Sequence, residues 1–186
     1  MTRIVVIDNH GQFTHLEGRA LGDIGVETDT VDSTTPPSEI DADGIVLSGG
    51  PGSASDPDTG GRCSEYLDMG VPVLGICLGM QLIATECGGT VEAGEYGGYA
   101  DVTVEIDDPT DSLVGSLAPE TRVWTSHADQ VTTLPDGFTR TGKSGVCEIE
   151  SMSDSDRELY GVQWHPEVAH TEQGEEVFEN FRAICE

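Results

Sequence analysis

Positive charge is nearly missing from this chain. Lys143 is its only lysine, and eight basic residues stand against 35 acidic ones, a formal net charge of -27. Nucleic acid is held chiefly through lysine and arginine on its phosphates, so the balance argues against a nucleic-acid partner for this chain alone. The acids are spread along the whole sequence rather than gathered in a tail. Self-repulsion at that density destabilises a compact fold in dilute buffer. At molar salt the Debye length shrinks to about 3 Å, and the repulsion is largely screened. The composition therefore points to a salt-filled cytoplasm of the kind halophilic archaea keep.

Long apolar runs are lacking too. No stretch approaches the roughly 20 apolar residues of a membrane span, which argues against a membrane partner. Met1-Thr2-Arg3-Ile4 leads straight into a strand pattern with no signal-peptide signature. Regular cysteine spacing is also absent. Five cysteines, an odd number, fit a reducing cytoplasm better than a disulfide framework. No Cys-x-x-Cys or His-x-x-x-His pair supports a metal, so ligation by Cys77, His165 and Glu167 is a weak reading and no metal is expected. The apolar fraction of 36% is enough to give one domain, residues 1–186, a core.

Strand-like apolar runs cover Arg3–Asp8, Val26–Val31, Gly44–Leu47 and Val71–Ile76. Helical patterns cover Phe13–Leu21, Leu78–Glu86 and Gly174–Ile184. Strands alternating with helices imply an α/β fold with an open parallel sheet covered on both faces. The pattern changes after Gly88-Gly89. Ala100–Ile106 alternates in period two, and Arg122–Trp124 is a short strand followed by Ser126–Val131. Thr139–Thr141 and Glu148–Glu150 read as an antiparallel pair, and Leu159–Gln163 as the last strand. In such sheets the site lies beyond the carboxyl ends of the strands.

One stretch organises the rest: Val71-Pro72-Val73-Leu74-Gly75-Ile76-Cys77-Leu78-Gly79-Met80-Gln81. A strand breaks at Cys77 and a helix follows. Gly75 and Gly79 flank the cysteine two residues away on either side, where a sharp strand-to-helix turn tolerates no bulk. The helix start offers free N–H groups and positive dipole to the sulfur, which favours thiolate. Most cysteines are small buried hydrophobes, and Cys63, Cys87, Cys147 and Cys185 are read that way. Cys77 is read as a nucleophile.

A nucleophilic thiol in acyl transfer needs an oxyanion hole, a base and a group that orients the base. Ser48-Gly49-Gly50-Pro51-Gly52-Ser53 follows a strand and lacks the Gly-Lys-Ser/Thr ending of a phosphate-binding loop. The Gly50 N–H and the Leu78 N–H are the candidate oxyanion donors. His165-Pro166-Glu167 supplies base and orienter two residues apart, on one side of an extended segment. His127, with Asp129 two residues on, competes for the same role. His10, His15 and His170 are read as ordinary polar residues.

Together Gly75-Ile76-Cys77-Leu78-Gly79-Met80-Gln81, Ser48-Gly49-Gly50-Pro51 and His165-Pro166-Glu167 resemble the class I (triad) glutamine amidotransferases, in the family's order and over nearly the whole chain. The resemblance implies a three-layer α/β/α, flavodoxin-like fold with a small antiparallel addition. It also implies hydrolysis of glutamine to glutamate and ammonia by Cys77, His165 and Glu167. It makes Gln81 a substrate contact, and Ser126, Ala128 and Asp129 part of the glutamine-binding segment. Ser126-His127-Ala128-Asp129-Gln130-Val131 and the run from Gly161 to Gly174 are similar to the GMP synthetase branch, with Trp164 where that branch has Phe. That branch commonly continues into an ATP-pyrophosphatase domain, whereas this sequence stops after its last helix pattern. The likeness thus implies a separate synthetase chain that binds ATP, Mg and XMP, with no cofactor on this one. A glutaminase of another amidotransferase, such as anthranilate synthase, a free hydrolase of γ-glutamyl compounds, and a catalytically silent regulatory subunit remain as alternatives.

Overall fold

Buried, branched strands set the architecture. The computed structural model describes residues 1–186, apart from the side chains at positions 96, 97 and 99. In chain order the elements are β1 (Arg3–Asp8), α1 (Thr14–Asp23), β2 (Glu27–Asp32), β3 (Gly44–Leu47), α2 (Cys63–Leu67), β4 (Val73–Ile76) and α3 (Leu78–Glu86). There follow β5 (Thr90–Ile106), β6 (Glu120–Thr133), β7 (Thr139–Lys143), β8 (Ser151–Asp154), β9 (Leu159–Val162) and α4 (Gly174–Cys185). They build one nine-stranded sheet in the order β2-β1-β3-β4-β9-β8-β7-β5-β6. From β2 to β9 every pairing is parallel, and from β9 to β6 every pairing is antiparallel.

The parallel half is covered on both sides, as its continuous apolar strands require. Ile4 and Val6 of β1 point into one core layer, with Leu21 of α1 and Val177, Phe178 and Phe181 of α4. Val5 and Ile7 point the other way, to Tyr66 of α2 and Leu78, Leu82 and Ile83 of α3. Alternation along a strand thus divides one short run between two layers. The edge strand β2 is acidic and half exposed, which blunts pairing with another chain.

The structure differs from the sequence pattern in three places. β5 runs 17 residues and β6 runs 14, so Ser126–Val131 lies within a strand. Each strand extends because the other supplies its partner: Val91 faces Val131 and Ala93 faces Asp129. β7 pairs with Ser151–Asp154, not with Glu148–Glu150. The turn before β8 is wider than expected because the Ser144 hydroxyl accepts the N–H groups of Val146 and Cys147. The short helix α2 was not evident in the sequence, since it presents only Cys63 and Tyr66 to the core. The Tyr66 hydroxyl anchors it by contacts to the Ser33 and Thr35 carbonyls at 2.9 and 2.8 Å.

Candidate active site

At the β4–α3 junction the backbone makes the sharp turn expected of Cys77. Its φ is 52° and ψ is -108°, a conformation that costs an L-residue of order 1–3 kcal/mol and persists only where the surroundings enforce it. The flanking glycines show how. A Cβ on Gly75 would stand 2.5 Å from the Gly79 carbonyl carbon, and one on Gly79 would collide with the Leu47 carbonyl oxygen. Gly50 is equally constrained, because a Cβ there would strike the Asn9 carbonyl oxygen. Asn9 and Ser48 fix this loop from beneath. The Asn9 N–H donates to the Ser48 hydroxyl at 2.9 Å, and its amide donates to the Ser48 carbonyl at 2.8 Å.

His165 lies just beyond the end of β9, next to β4 in the sheet, which brings it to the sulfur. It stands beside Cys77 on the cavity wall and is hydrogen-bonded, through Nδ1 at 2.6 Å, to Oε1 of Glu167. The imidazole therefore lies between thiol and carboxylate, in series rather than around a common point. Burial opposes charging the ring, but the interactions with Cys77 and Glu167 outweigh it and push the His165 pKa up to about 10. The rest of the residue is also pinned. Its N–H donates to the Trp124 carbonyl at 3.0 Å, and the Thr171 hydroxyl donates to its carbonyl at 2.6 Å. Phe13 and Trp124 pack against the ring, each 5.5 Å away between centroids.

His127 does not fill this role. Its Nδ1 is 2.8 Å from the Asp129 main-chain oxygen, so that nitrogen carries the proton and no carboxylate orients the ring. Burial, more than any other influence, lowers its pKa.

Cys77, His165, Glu167, Gly50, Leu78, Gln81, Ser126, Ala128 and Asp129 all border one cavity of about 510 Å³. The structure thus brings every residue proposed from the sequence to a single place. Gln81 differs from expectation in one respect. Its two amide hydrogens are already used, on the Asp129 carbonyl at 2.8 Å and on Oε1 of Gln163 at 3.1 Å, so only its oxygen is left to meet a substrate. The Asp129 carboxylate accepts from the Ser53 hydroxyl at 2.9 Å and ties β6 to the glycine-rich loop.

Two residues at the site were not singled out by the sequence. Gln163, fully buried, donates from Nε2 to the Cys77 sulfur at 3.5 Å. Its signal was position, at the end of the last strand pattern and two residues before His165, where extended backbone turns both to one side. Glu17 sits on α1, only 1% exposed, and borders the same cavity. In the sequence it looks like one more surface acid. Among the described residues, no three histidine, cysteine or acidic side chains gather as a metal site.

A parallel sheet ending in a strained cysteine, with an imidazole–carboxylate pair beside it, defines a thiol acyl-transfer enzyme of the amidotransferase type. The chain belongs to the family glutamine amidotransferase class-I, whose model matches residues 5–184. It is 72% identical over 185 residues to a GMP synthase (glutamine-hydrolyzing) subunit from Natronomonas pharaonis, covering 100% of this chain and 98% of that one. It is 69% identical to the protein of the same name from Haloarcula marismortui, covering 100% and 96%. Among solved structures, a GMP synthase subunit from Thermoplasma acidophilum superposes with a TM-score of 0.93 at 38% identity, covering 100% of this chain and 94% of that one.

Proposed function

We propose that this chain hydrolyses glutamine at Cys77 and passes the ammonia to a separate ATP-dependent synthetase subunit that converts XMP to GMP. The observation that carries the chemistry is the series Cys77–His165–Glu167 at a strained turn. Relatives matched end to end are named as single subunits of GMP synthase, which supports the assembly.

The steps follow from the geometry. Protonated His165 stands beside the sulfur and stabilises it as an anion. The sulfur attacks the side-chain carboxamide carbon of glutamine, and the C=O electrons move onto oxygen. The N–H groups of Gly50 and Leu78 receive that oxyanion; losing one such donor costs about 100-fold or more in kcat. The intermediate collapses as the C–N bond breaks, and His165 gives its proton to the departing nitrogen. His165, neutral now, takes a proton from water, whose oxygen attacks the thioester. Glutamate leaves and the sulfur is restored. Glu167 stabilises the imidazolium and holds Nδ1 in its protonated form. Ser126, Ala128, Asp129 and the Gln81 oxygen are the groups placed to hold the amino-acid end of the substrate. ATP, Mg and XMP belong to the partner's site. Among the described residues no helix is long and apolar enough to cross a membrane.

Cys77→Ala tests the reading. Glutamine hydrolysis and glutamine-dependent GMP formation with the synthetase subunit should fall at least about 1,000-fold. GMP formation from added ammonia should persist, and the circular dichroism spectrum should be unchanged. Undiminished glutaminase activity in the variant would refute the nucleophile.

A further inference from the structure

α1 carries one acid on its inward face. Glu17 is 1% exposed and borders the cavity together with Gly49, His165 and Glu167. The Gly49 N–H faces its carboxyl group and favours its charged form. Among the described residues its Oε2 has no hydrogen-bond partner, and neither has Oε2 of Glu167, the oxygen that does not bind His165. A buried oxygen without a donor is costly. Two ionised carboxylates cannot help each other, because neither has a hydrogen to give. One proton held between them satisfies both.

We propose that Glu17 is a positioning residue of the triad: it keeps a proton and donates it to Oε2 of Glu167, which fixes that carboxylate on His165. The surroundings of Glu17 act in the same direction. Burial first, then the charge of Glu167 and, more weakly, that of Asp8 at the end of β1, push its pKa well above the usual carboxylate range. The Gly49 N–H and His165 pull the other way and are outweighed. On α1 itself the nearby charges, Arg19 and Asp23, are exposed and paired with each other. Gly49 adjoins Gly50, so the same carboxyl group also steadies the loop that offers an oxyanion donor. The activity arm of the test rests on the glutaminase reading; the spectroscopic arm does not.

Glu17→Gln keeps the pattern without a titratable proton, since the amide NH2 can donate to Glu167 and its oxygen can accept the Gly49 N–H. Glu17→Ala removes both contacts. Assayed with the synthetase subunit in molar KCl, Glu17→Gln should keep kcat within about threefold, and Glu17→Ala should lose about 10- to 100-fold in kcat with KM within about twofold. The infrared spectrum of the wild type at pH 7 should contain a protonated-carboxyl C=O band missing from Glu17→Gln and retained in the inactive Cys77→Ala. A Glu17→Gln enzyme as slow as Glu17→Ala, or identical carboxyl bands in wild type and Glu17→Gln, would overturn the proposal. The infrared comparison stands even if Glu17→Ala fails to fold or the chain proves to have another substrate.

Discussion

Glu150 and His165 both bind protons more tightly in the fold than in the free chain, so each lowers stability as pH rises, in different windows. Glu150 is fully buried, one of its oxygens has no partner among the described residues, and burial raises its pKa to about 7 against a pull from the Ser144 hydroxyl. An acid with a raised pKa is neutral below its unfolded value and costs nothing there. The cost grows as pH climbs from about 4.5 to 7 and then stays constant. His165 acts in the same direction at higher pH, here by losing a stabilisation rather than by gaining a cost. Its stabilisation is complete below the unfolded pKa of about 6.5 and is lost as pH rises through about 10. Glu150→Gln should therefore flatten the fall in stability between pH 4.5 and 7. Denaturant titrations at fixed molar KCl should show the gap between wild type and variant changing by about 3 kcal/mol across that window. A constant gap would mean that Glu150 titrates normally. Nothing in the sequence marks Glu150 or Glu17 among the 35 acids. Cys77, His165 and Glu167 were legible because their chemistry is written in short spacings. Gln163 and Glu17 act on partners across the fold: Gln163 meets a sulfur 86 positions away, and no local pattern encodes that distance.

The turn between β4 and α3 is the element on which the site depends, and it stores strain. Cys77 has a positive φ, which glycine adopts without steric cost. Comparing Cys77→Gly with Cys77→Ala isolates that strain, since both variants lack the sulfur. Cys77→Gly should be the more stable by about 1 kcal/mol, the relief of a positive-φ backbone less the extra entropy lost by glycine. Equal unfolding midpoints would show that the turn is relaxed. A Cβ at Gly79 meets main-chain oxygen rather than a yielding side chain, so Gly79→Ala should damage folding itself, visible as reduced yield and a lowered melting temperature. This junction was readable from the sequence because strand, cysteine, glycines and helix are consecutive. The hairpin of β5 and β6 was not. Its polar alternation over Thr90–Glu95 and Ser126–Thr133 resembles a loop until the two strands are laid side by side, and a half-exposed strand has a weak apolar signature. The parallel strands were easy by comparison, being buried on both faces.

At the scale of the molecule, charge is the dominant unusual feature. Every one of the eight basic residues is in an ion pair: Arg3 with Glu27 and Asp29, Arg19 with Asp23, Arg62 with Glu65, Arg122 with Asp101, Arg140 with Asp107 and Glu148, Lys143 with Glu105, Arg157 with Asp154, and Arg182 with Glu186. Most of these pairs are partly exposed, and such pairs contribute only about 0–1 kcal/mol each. The fold has thus used all its lysine and arginine and still carries a formal net charge of -27. No rearrangement of side chains can neutralise the remainder; only mobile cations can. Screening the excess should stabilise the chain by more than screening the few pairs destabilises it. The melting temperature should rise by about 10 °C or more between dilute buffer and 2 M KCl, equivalent to roughly 3–5 kcal/mol for a chain of this length. The rise should saturate once the Debye length falls below the spacing of neighbouring carboxylates. The size of the effect in NaCl at equal ionic strength separates screening, which is indifferent to the cation, from specific potassium binding. A melting temperature that does not change with salt would mean that the surface acids are too far apart to repel one another, and the link between this composition and a saline interior would be lost.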